Sequence, residues 1–137
     1  MSNSSEIRKG RRCVFLLHAH LVFITKYRYK VLTGYMMPSL QKLFEGVCDD
    51  FEAELIEFDG ESDHVHLLIN YPPKVQLSKL VNSLKGVSSR KLKILHPEVS
   101  KRYFKSALWS PSYFAGSCGG ASIETIKKYI EQQNTPD

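Results

Sequence analysis

The sequence contains few cysteines and no long apolar run, and each shortage excludes a class of protein. Cys13, Cys48 and Cys118 are widely spaced and form no Cys-x-x-Cys pair, which argues against a disulfide framework or a zinc ribbon and predicts free thiols. No apolar run reaches the roughly 20 residues of a membrane-spanning helix, and residues 1–12 lack the apolar core of a signal peptide. We therefore expect a soluble protein of the cytoplasm.

Composition and charge are those of one globular domain with a basic surface. Hydrophobic residues make up 42% of the 137 positions and charged residues 24%, which is ordinary for a folded domain. The 19 Lys and Arg residues exceed the 14 Asp and Glu residues by five. This excess is compatible with nucleic-acid binding but does not establish it. Residues 1–12 end in a basic cluster and are predicted to form a flexible basic arm.

Hydrophobic periodicity predicts an α+β fold. Alternating and β-branched runs predict strands over residues 14–25, 54–58, 63–70 and 111–116. Apolar residues three and four apart predict helices over residues 37–51 and 76–95, and Ser122 can cap a final helix. Residues 96–110 are expected to form a long basic connection. This order is typical of a ferredoxin-like (RRM-like) antiparallel sheet with helices on one side, plus an extra C-terminal helix.

Two histidines on the third predicted strand are candidate metal ligands. In the segment Asp63-His64-Val65-His66-Leu67-Leu68 the core-facing residues alternate with the histidines. Imidazoles two residues apart on a strand point the same way and can share one divalent metal ion. A pair of partly exposed strand histidines is the alternative. Leu68 stands where a histidine-triad hydrolase would need its third histidine.

A second pair, His18-Ala19-His20, lies on the first predicted strand. Because the first and third strands of a ferredoxin-like sheet are central neighbours, we expect His18 and His20 to lie beside His64 and His66. From the residues alone, either pair could hold a metal ion.

Cations and aromatic rings alternate in residues 26–30, directly after the first predicted strand. Such a segment suits a nucleic-acid surface, because cations neutralise phosphates while rings stack on bases. The second predicted helix carries Lys85 and Arg90 together with Ser88 and Ser89, which makes a second candidate phosphate-contacting surface. A solvated strand end and a solvated helix face are the alternatives.

Several motifs in a fixed order resemble the single-tyrosine HUH (histidine, hydrophobic, histidine) transposases of small bacterial and archaeal insertion sequences, the IS200-like family. The resemblance covers residues 13–134. The matching segments are Lys26-Tyr27-Arg28, His64-Val65-His66, Leu84-Lys85-Gly86 with Ser89-Arg90, Leu108-Trp109 with Pro111-Ser112-Tyr113, Gly119-Gly120, and Lys128-Tyr129-Ile130-Glu131 with Gln133. Between the two histidine pairs, the resemblance selects His64 and His66 as the ligands.

The resemblance implies an HUH endonuclease core over residues 13–118, followed by a hinge and a C-terminal helix over residues 119–137. It makes Tyr129 the nucleophile, which forms a 5′-phosphotyrosine, and adds Gln133 to the two histidines as a ligand of Mg²⁺ or Mn²⁺. The implied DNA-binding residues are Lys26, Arg28, Lys85, Ser89, Arg90 and Trp109, and the implied hinge residues are Gly119 and Gly120. We expect single-stranded DNA with hairpin ends as the substrate, and a homodimer whose active sites are shared in trans.

Three other functions are compatible with the sequence. A domesticated HUH nuclease would act on repeated genomic hairpins. A non-catalytic RNA- or DNA-binding module can use the same sandwich with basic and aromatic residues. A metal-dependent phosphodiesterase would use water for the attack. Neither of the last two would form a covalent protein–DNA adduct.

Overall fold

An antiparallel sheet of four strands forms the centre of the computed structural model, which describes residues 7–9, 14–15, 17–117 and 123–132. The strands are β1 Arg8–Lys9, β2 Val14–Phe15, β3 His18–Ile24, β4 Glu54–Gly60, β5 His64–Asn70 and β6 Phe114–Ser117. The helices are α1 Met37–Asp50, α2 Leu77–Leu95, α3 Pro97–Arg102 and α4 Ile123–Gln132, with short 3-10 turns at Lys26–Arg28 and Gly34–Met36. No helix among these residues is both long enough and apolar enough to cross a membrane.

The order of the strands confirms the predicted ferredoxin-like topology. The sheet runs β4-β5-β3-β6, so β3 and β5 are the central neighbours, and every pairing is antiparallel. Helix α1 connects β3 to β4, and α2 follows β5, as the predicted order of elements requires. In the β3–β5 register Val22 lies opposite His66 and Ile24 lies opposite His64.

Side-chain alternation gives this sheet two different faces. One face contributes Leu21, Phe23, Val65, Leu67 and Ile69, all fully buried, to the main core beneath α1 and α2. The helices present their own apolar stripes to it. The buried residues on those stripes are Leu40, Phe44 and Val47 in α1, and Leu80, Val81, Leu84 and Leu92 in α2.

Helix α4 covers part of the opposite face, hereafter called the open face. Val22 and Ile24 are fully buried there, and Phe114 of β6 packs against them together with Tyr129 and Ile130 of α4. Since cross-strand partners point to the same side of a sheet, His64 and His66 also lie on the open face. The described part of α4 therefore lies over the direct strand neighbours of the histidine pair.

The N-terminal region corrects two predictions. The apolar run 14–25 forms two strands, because Val14–Phe15 pairs with Arg8–Lys9 in a separate hairpin. Arg8 is also not part of a flexible arm. Its guanidinium donates to Asn70 Oδ1 at 2.9 Å and to the Glu52 carbonyl at 2.8 Å, and it pairs with Glu54 at 3.0 Å. The remaining residues of the predicted arm, except Ile7 and Lys9, lie outside the described residues.

A third correction concerns residues 96–110, which are not simply a connection. They contain α3, with Pro97 in its first turn, acidic Glu98 beside it, and Lys101 and Arg102 in its last turn. A proline start with acid at the N-terminus and base at the C-terminus is the pattern that favours a helix, because it complements the helix dipole. The sequence thus carried the signal for this short helix.

Trp109 is the residue that joins the end of β3 to α2. It forms a β-bridge with Thr25, its ring lies 5.9 Å from that of Phe23, and its indole N–H donates to Ser88 Oγ at 2.8 Å. Only 2% of its surface is exposed. Trp109 therefore belongs to the core.

We expect Trp109→Ala to lower the free energy of unfolding by about 3–5 kcal/mol, because it leaves a large cavity and removes the buried hydrogen bond that Ser88 Oγ accepts from the indole. Phe104→Ala is the matched control: Phe104 is 72% exposed, and its loss should change stability by less than about 0.5 kcal/mol. Urea unfolding measures both. Equal stability of the two variants would contradict the placement of Trp109 in the core.

Candidate active site

The two predicted ligand histidines lie side by side on β5. The His64 and His66 rings are 4.9 Å apart between centroids and nearly perpendicular, at 77°. His64 is buried and His66 is partly exposed. Because β5 is a central strand paired on both sides, these rings are attached to one of the most rigid parts of the chain.

Asp63 orients His64. The Asp63 carboxylate lies 2.8 Å from His64 Nδ1 and accepts a hydrogen bond from it. A proton held on Nδ1 leaves the Nε2 lone pair free to bind a ligand, which is how metal-binding histidines are held in many proteins. The other carboxylate oxygen lies 3.6 Å from Arg28 Nε. Sequence analysis missed Asp63, although a carboxylate directly before a histidine pair is a recognisable signal.

Arg28 reaches Asp63 through an unusual backbone turn. Tyr27 and Arg28 have positive φ angles of 63° and 55°, a left-handed conformation that is unfavourable for large side chains. The turn directs Arg28 inward and leaves Tyr27 46% exposed. Arg28 is therefore a partner of Asp63, and the predicted DNA contact of Arg28 is not supported by its position.

Of the first histidine pair, His20 lies beside the predicted ligands and His18 does not. His20 Nε2 lies 3.4 Å from His66 Nδ1, with 5.5 Å between the ring centroids. His18 lies opposite Asn70, further along the strand. Of the two, only His20 contacts the predicted ligand pair in the described structure.

The environment favours the neutral form of the His66 and His20 imidazoles, which is the form that binds metal ions. Burial lowers the pKa of His66 from its ordinary value of 6.5, and the charges of His64 and His20 lower it further, whereas Asp59 and Glu61 oppose the shift. Burial also lowers the pKa of His20, against the opposing effect of Glu57. Both groups are therefore unprotonated at neutral pH.

These observations fit a divalent metal ion held by two imidazoles. His64 has an oriented lone pair, and His66 lies on the same face of the strand. Among the described residues no three His, Cys, Asp or Glu side chains form a group that could hold the ion. A third protein ligand must therefore be another type of residue or lie outside this part of the chain. Gln133, the predicted third ligand, lies outside the described residues.

Tyr129 lies on the same face as the histidines. Its ring packs against Phe114 at 5.7 Å, and its hydroxyl lies 3.1 Å from Ser112 Oγ. Burial raises the pKa of Tyr129 above its ordinary value of 10.0, and the hydrogen bond with Ser112 opposes this shift. The phenol is therefore protonated at neutral pH in this arrangement. Residues 119 and 120, the predicted hinge, lie outside the described residues.

A basic cleft of about 670 Å³ lies between α2, Lys26 and the segment 105–111. Its lining is mostly cationic or small: Lys26, Lys85, Gly86, Ser89, Arg90, Lys93, Lys105, Ser106, Ala107, Trp109, Ser110 and Pro111. Five of the six predicted DNA-binding residues line it, and the exception is Arg28. These five residues therefore lie close together in the cleft, but they differ in how far each is exposed to solvent.

Two of the five are buried in the domain. Ser89 is 8% exposed, and its hydroxyl accepts from the Leu108 amide at 3.0 Å. Buried Trp109 has too little accessible surface to stack on a base. For these two residues the structure supports a role in forming the cleft wall, and neither offers much exposed surface for the predicted direct contact with DNA. Lys26 and Arg90 have side chains with access to solvent.

Comparisons with known proteins identify the family. The chain matches the family described as "Transposase IS200 like" over residues 13–133. It is 33% identical over 129 residues to the ISDra2 transposase TnpA of Deinococcus radiodurans, covering 94% of this chain and 92% of that protein. The transposase for insertion sequence element IS200 of Salmonella typhimurium is 27% identical over 118 residues, covering 86% of this chain and 77% of that one.

Solved structures give the same result. A putative transposase from Deinococcus radiodurans R1 superposes with a TM-score of 0.82 and 31% identity, covering 93% of this chain and 98% of that one. A REP-associated tyrosine transposase bound to a REP hairpin superposes with a TM-score of 0.51 at 14% identity, covering 84% and 62%, and shows likeness of fold alone. The fold and these matches define a transposase. The chain belongs to the IS200-like transposase family, which implies a DNA-cleaving transferase.

We expect Asp63→Asn to lower the affinity for Mn²⁺ by roughly ten- to a hundred-fold, the usual effect of losing a carboxylate that orients a ligand histidine. Isothermal titration calorimetry on the DNA-free protein measures this. Asp50→Asn, an exposed change at the end of α1, is the matched control and should bind Mn²⁺ normally. Unchanged affinity in a folded Asp63→Asn protein would show that Asp63 does not orient His64 for a metal ion.

Proposed function

We propose that this chain cleaves and rejoins single-stranded DNA at the hairpin-marked ends of an insertion sequence, with Tyr129 as the nucleophile. One observation carries the proposal: α4 packs on Val22 and Ile24, whose cross-strand partners are His66 and His64. A candidate nucleophile and a candidate metal-binding pair thus lie on one face of one sheet. Membership in the IS200-like family supports DNA as the substrate.

Each of the chain's own groups has a defined part in this chemistry. As Tyr129 attacks the scissile phosphorus, its Oη–P bond forms and its phenolic proton is released to solvent. The bond to the 3′-oxygen breaks, and that oxygen takes up a proton to become a 3′-hydroxyl. Because the phosphate stays an ester on tyrosine, a later 3′-hydroxyl can reverse the step. His64 and His66 are the proposed protein ligands of the ion, together with Gln133, and Asp63 holds His64 in the ligating tautomer.

The divalent ion supplies, when bound, a positive charge that polarises the scissile phosphate. This is the assistance that the protonated Tyr129 phenol needs, because its raised pKa makes it a poor nucleophile by itself. Of Mg²⁺ and Mn²⁺, a site with imidazole nitrogen suits Mn²⁺ better.

The basic cleft is the proposed surface for the hairpin. Lys26 and Arg90 present charge to solvent along it, and Lys105 extends the charged rim. Phosphate contacts of this kind give affinity without reading sequence. The hairpin itself is proposed from the family and from the REP-associated neighbour, which was solved with a hairpin bound.

We further propose that the working enzyme is a homodimer with active sites shared in trans. Among the described side chains of α4, Tyr129 and Ile130 contact Val22, Ile24 and Phe114. The same apolar contacts can be made with the same surface of a second chain, provided that the segment before α4 bends. In this single chain the helix lies on its own sheet, and Gly119-Gly120 is the proposed hinge.

We expect Tyr129→Phe to abolish the covalent DNA adduct while leaving hairpin binding and thermal stability almost unchanged, because only the attacking oxygen is lost. Incubation with single-stranded DNA and Mn²⁺, followed by a denaturing gel, detects the adduct. Tyr35→Phe makes the same chemical change at an exposed position before α1 and should form the adduct normally. An adduct in the Tyr129→Phe chain would end the proposal for this residue.

Mixing subunits tests the shared sites. His64→Ala and Tyr129→Phe chains are each expected to be inactive, whereas a heterodimer built in trans has one site with both defects and one with neither. Differently tagged chains, co-expressed and purified as heterodimers, should recover about half of the wild-type cleavage. Heterodimers that remain inactive beside an active wild-type preparation would show that each site forms within one chain.

A further inference from the structure

We propose that Lys85 is a positioning residue, which holds the segment 110–112 and through it the Tyr129 hydroxyl, rather than a contact for DNA phosphate. The proposal rests on the proposed function of Tyr129 as the nucleophile. It separates Lys85 from the other cations of the cleft, including Arg90 and Lys93 on the same helix.

The Lys85 ammonium is already occupied by backbone oxygens. Its Nζ donates to the carbonyl of Ser110 at 2.7 Å, with the Pro111 carbonyl at 3.2 Å and the Ser112 carbonyl at 3.3 Å. An ammonium group has three hydrogens to donate, and three successive carbonyls can use all of them. The group also lies 5.6 Å from the centre of the Tyr113 ring.

Lys85 is partly buried, whereas Arg90 is exposed. Burial lowers its pKa below the ordinary value of 10.5. Hydrogen bonds from an ammonium to carbonyl oxygens are charge-assisted and stronger than neutral ones. Turning Lys85 toward a phosphate would break these bonds. Arg90, five residues further along the same helix, is exposed and makes no such set of carbonyl contacts with the described residues.

The segment held by Lys85 leads directly to the nucleophile. Ser110 is tied to the sheet by its amide, which donates to the Ile24 carbonyl at 2.7 Å, and β6 begins only at Phe114. Between these two points Lys85 binds the carbonyls of Pro111 and Ser112. Ser112 in turn places its hydroxyl 3.1 Å from that of Tyr129.

A continuous set of contacts therefore runs from α2 to the proposed reacting atom. Removing the ammonium takes away one of the contacts that fix the Ser112 carbonyl, so Ser112 and its hydroxyl can shift together. Displacement of a reacting group by about 1 Å can slow an enzyme by two orders of magnitude. The loss should therefore appear in the rate of adduct formation at saturating DNA, and not in the affinity.

The salt dependence of binding separates the two roles. Each lysine or arginine that neutralises a phosphate adds about 0.7–0.9 to the slope of log K against log salt. Binding of the hairpin is measured by fluorescence anisotropy over a range of salt, with every variant in a Tyr129→Phe background so that no reaction occurs. Adduct rates are measured with Tyr129 present and Mn²⁺ added.

We expect Lys85→Met to keep the wild-type salt slope and to lower the adduct rate at saturating DNA at least ten-fold. Arg90→Met is the comparison for a phosphate contact and should lower the slope by about 0.7–0.9. Lys91→Met, exposed on the same helix and outside the cleft lining, should change neither quantity. A Lys85→Met slope reduced like that of Arg90→Met, or an unchanged adduct rate, would overturn the proposal.

Ser112→Ala tests the same connection to Tyr129 if the Lys85→Met protein is unstable. It removes only the hydroxyl beside Tyr129 and should slow adduct formation without changing the salt slope; a normal rate would break the proposed connection. Failure of the proposed function looks different. An adduct in the Tyr129→Phe chain would show that Tyr129 is not the nucleophile. The salt slope would still report whether Lys85 contacts phosphate.

Discussion

The antiparallel pairing of β3 with β5 is the constraint on which the rest of the structure depends. In its register Val65, Leu67 and Ile69 enter the core beneath the two helices. Because side chains alternate along a strand, the same register places His64 and His66 on the open face. A slip by one residue would bury both imidazoles against α1 and α2 and expose three large apolar residues. The hydrophobic core thus determines the position of the candidate metal ligands.

The cations predicted to bind DNA do not form one functional group, although the sequence presents them as similar. Arg28 turns inward to Asp63, and Lys85 binds three carbonyls, whereas Arg90 is exposed. A fully exposed cation can contact phosphate at little cost, while an internally bonded one must first lose its partners. We therefore interpret the cleft as an exposed cationic rim supported by internally bonded cations, with the second group connected to the candidate active site.

Periodicity was sufficient to predict the sheet, its topology and the face on which the histidines lie, because these follow from residues close in the sequence and from one core. The internal partners were not predictable in this way. Lys85 meets Ser110 across 25 residues, and Arg8 meets Asn70 across 62. Such contacts depend on where long side chains end in the folded chain, and the residue type is the same whether the partner is a carbonyl or a phosphate. Trp109 shows the same limit, since an aromatic residue in a basic segment fits both a stacking surface and a core.

The central claim is that the open face carries a tyrosine that becomes covalently joined to DNA. Mass spectrometry of the wild-type protein tests it most directly, after incubation with Mn²⁺ and single-stranded DNA from the hairpin end of the element. The account predicts a single modified peptide, with the 5′-phosphate of the DNA attached to the oxygen of Tyr129 and a free 3′-hydroxyl on the released fragment. Cleaved DNA carrying a free 5′-phosphate with no modified peptide, or a nucleotide attached to a different residue, would contradict it.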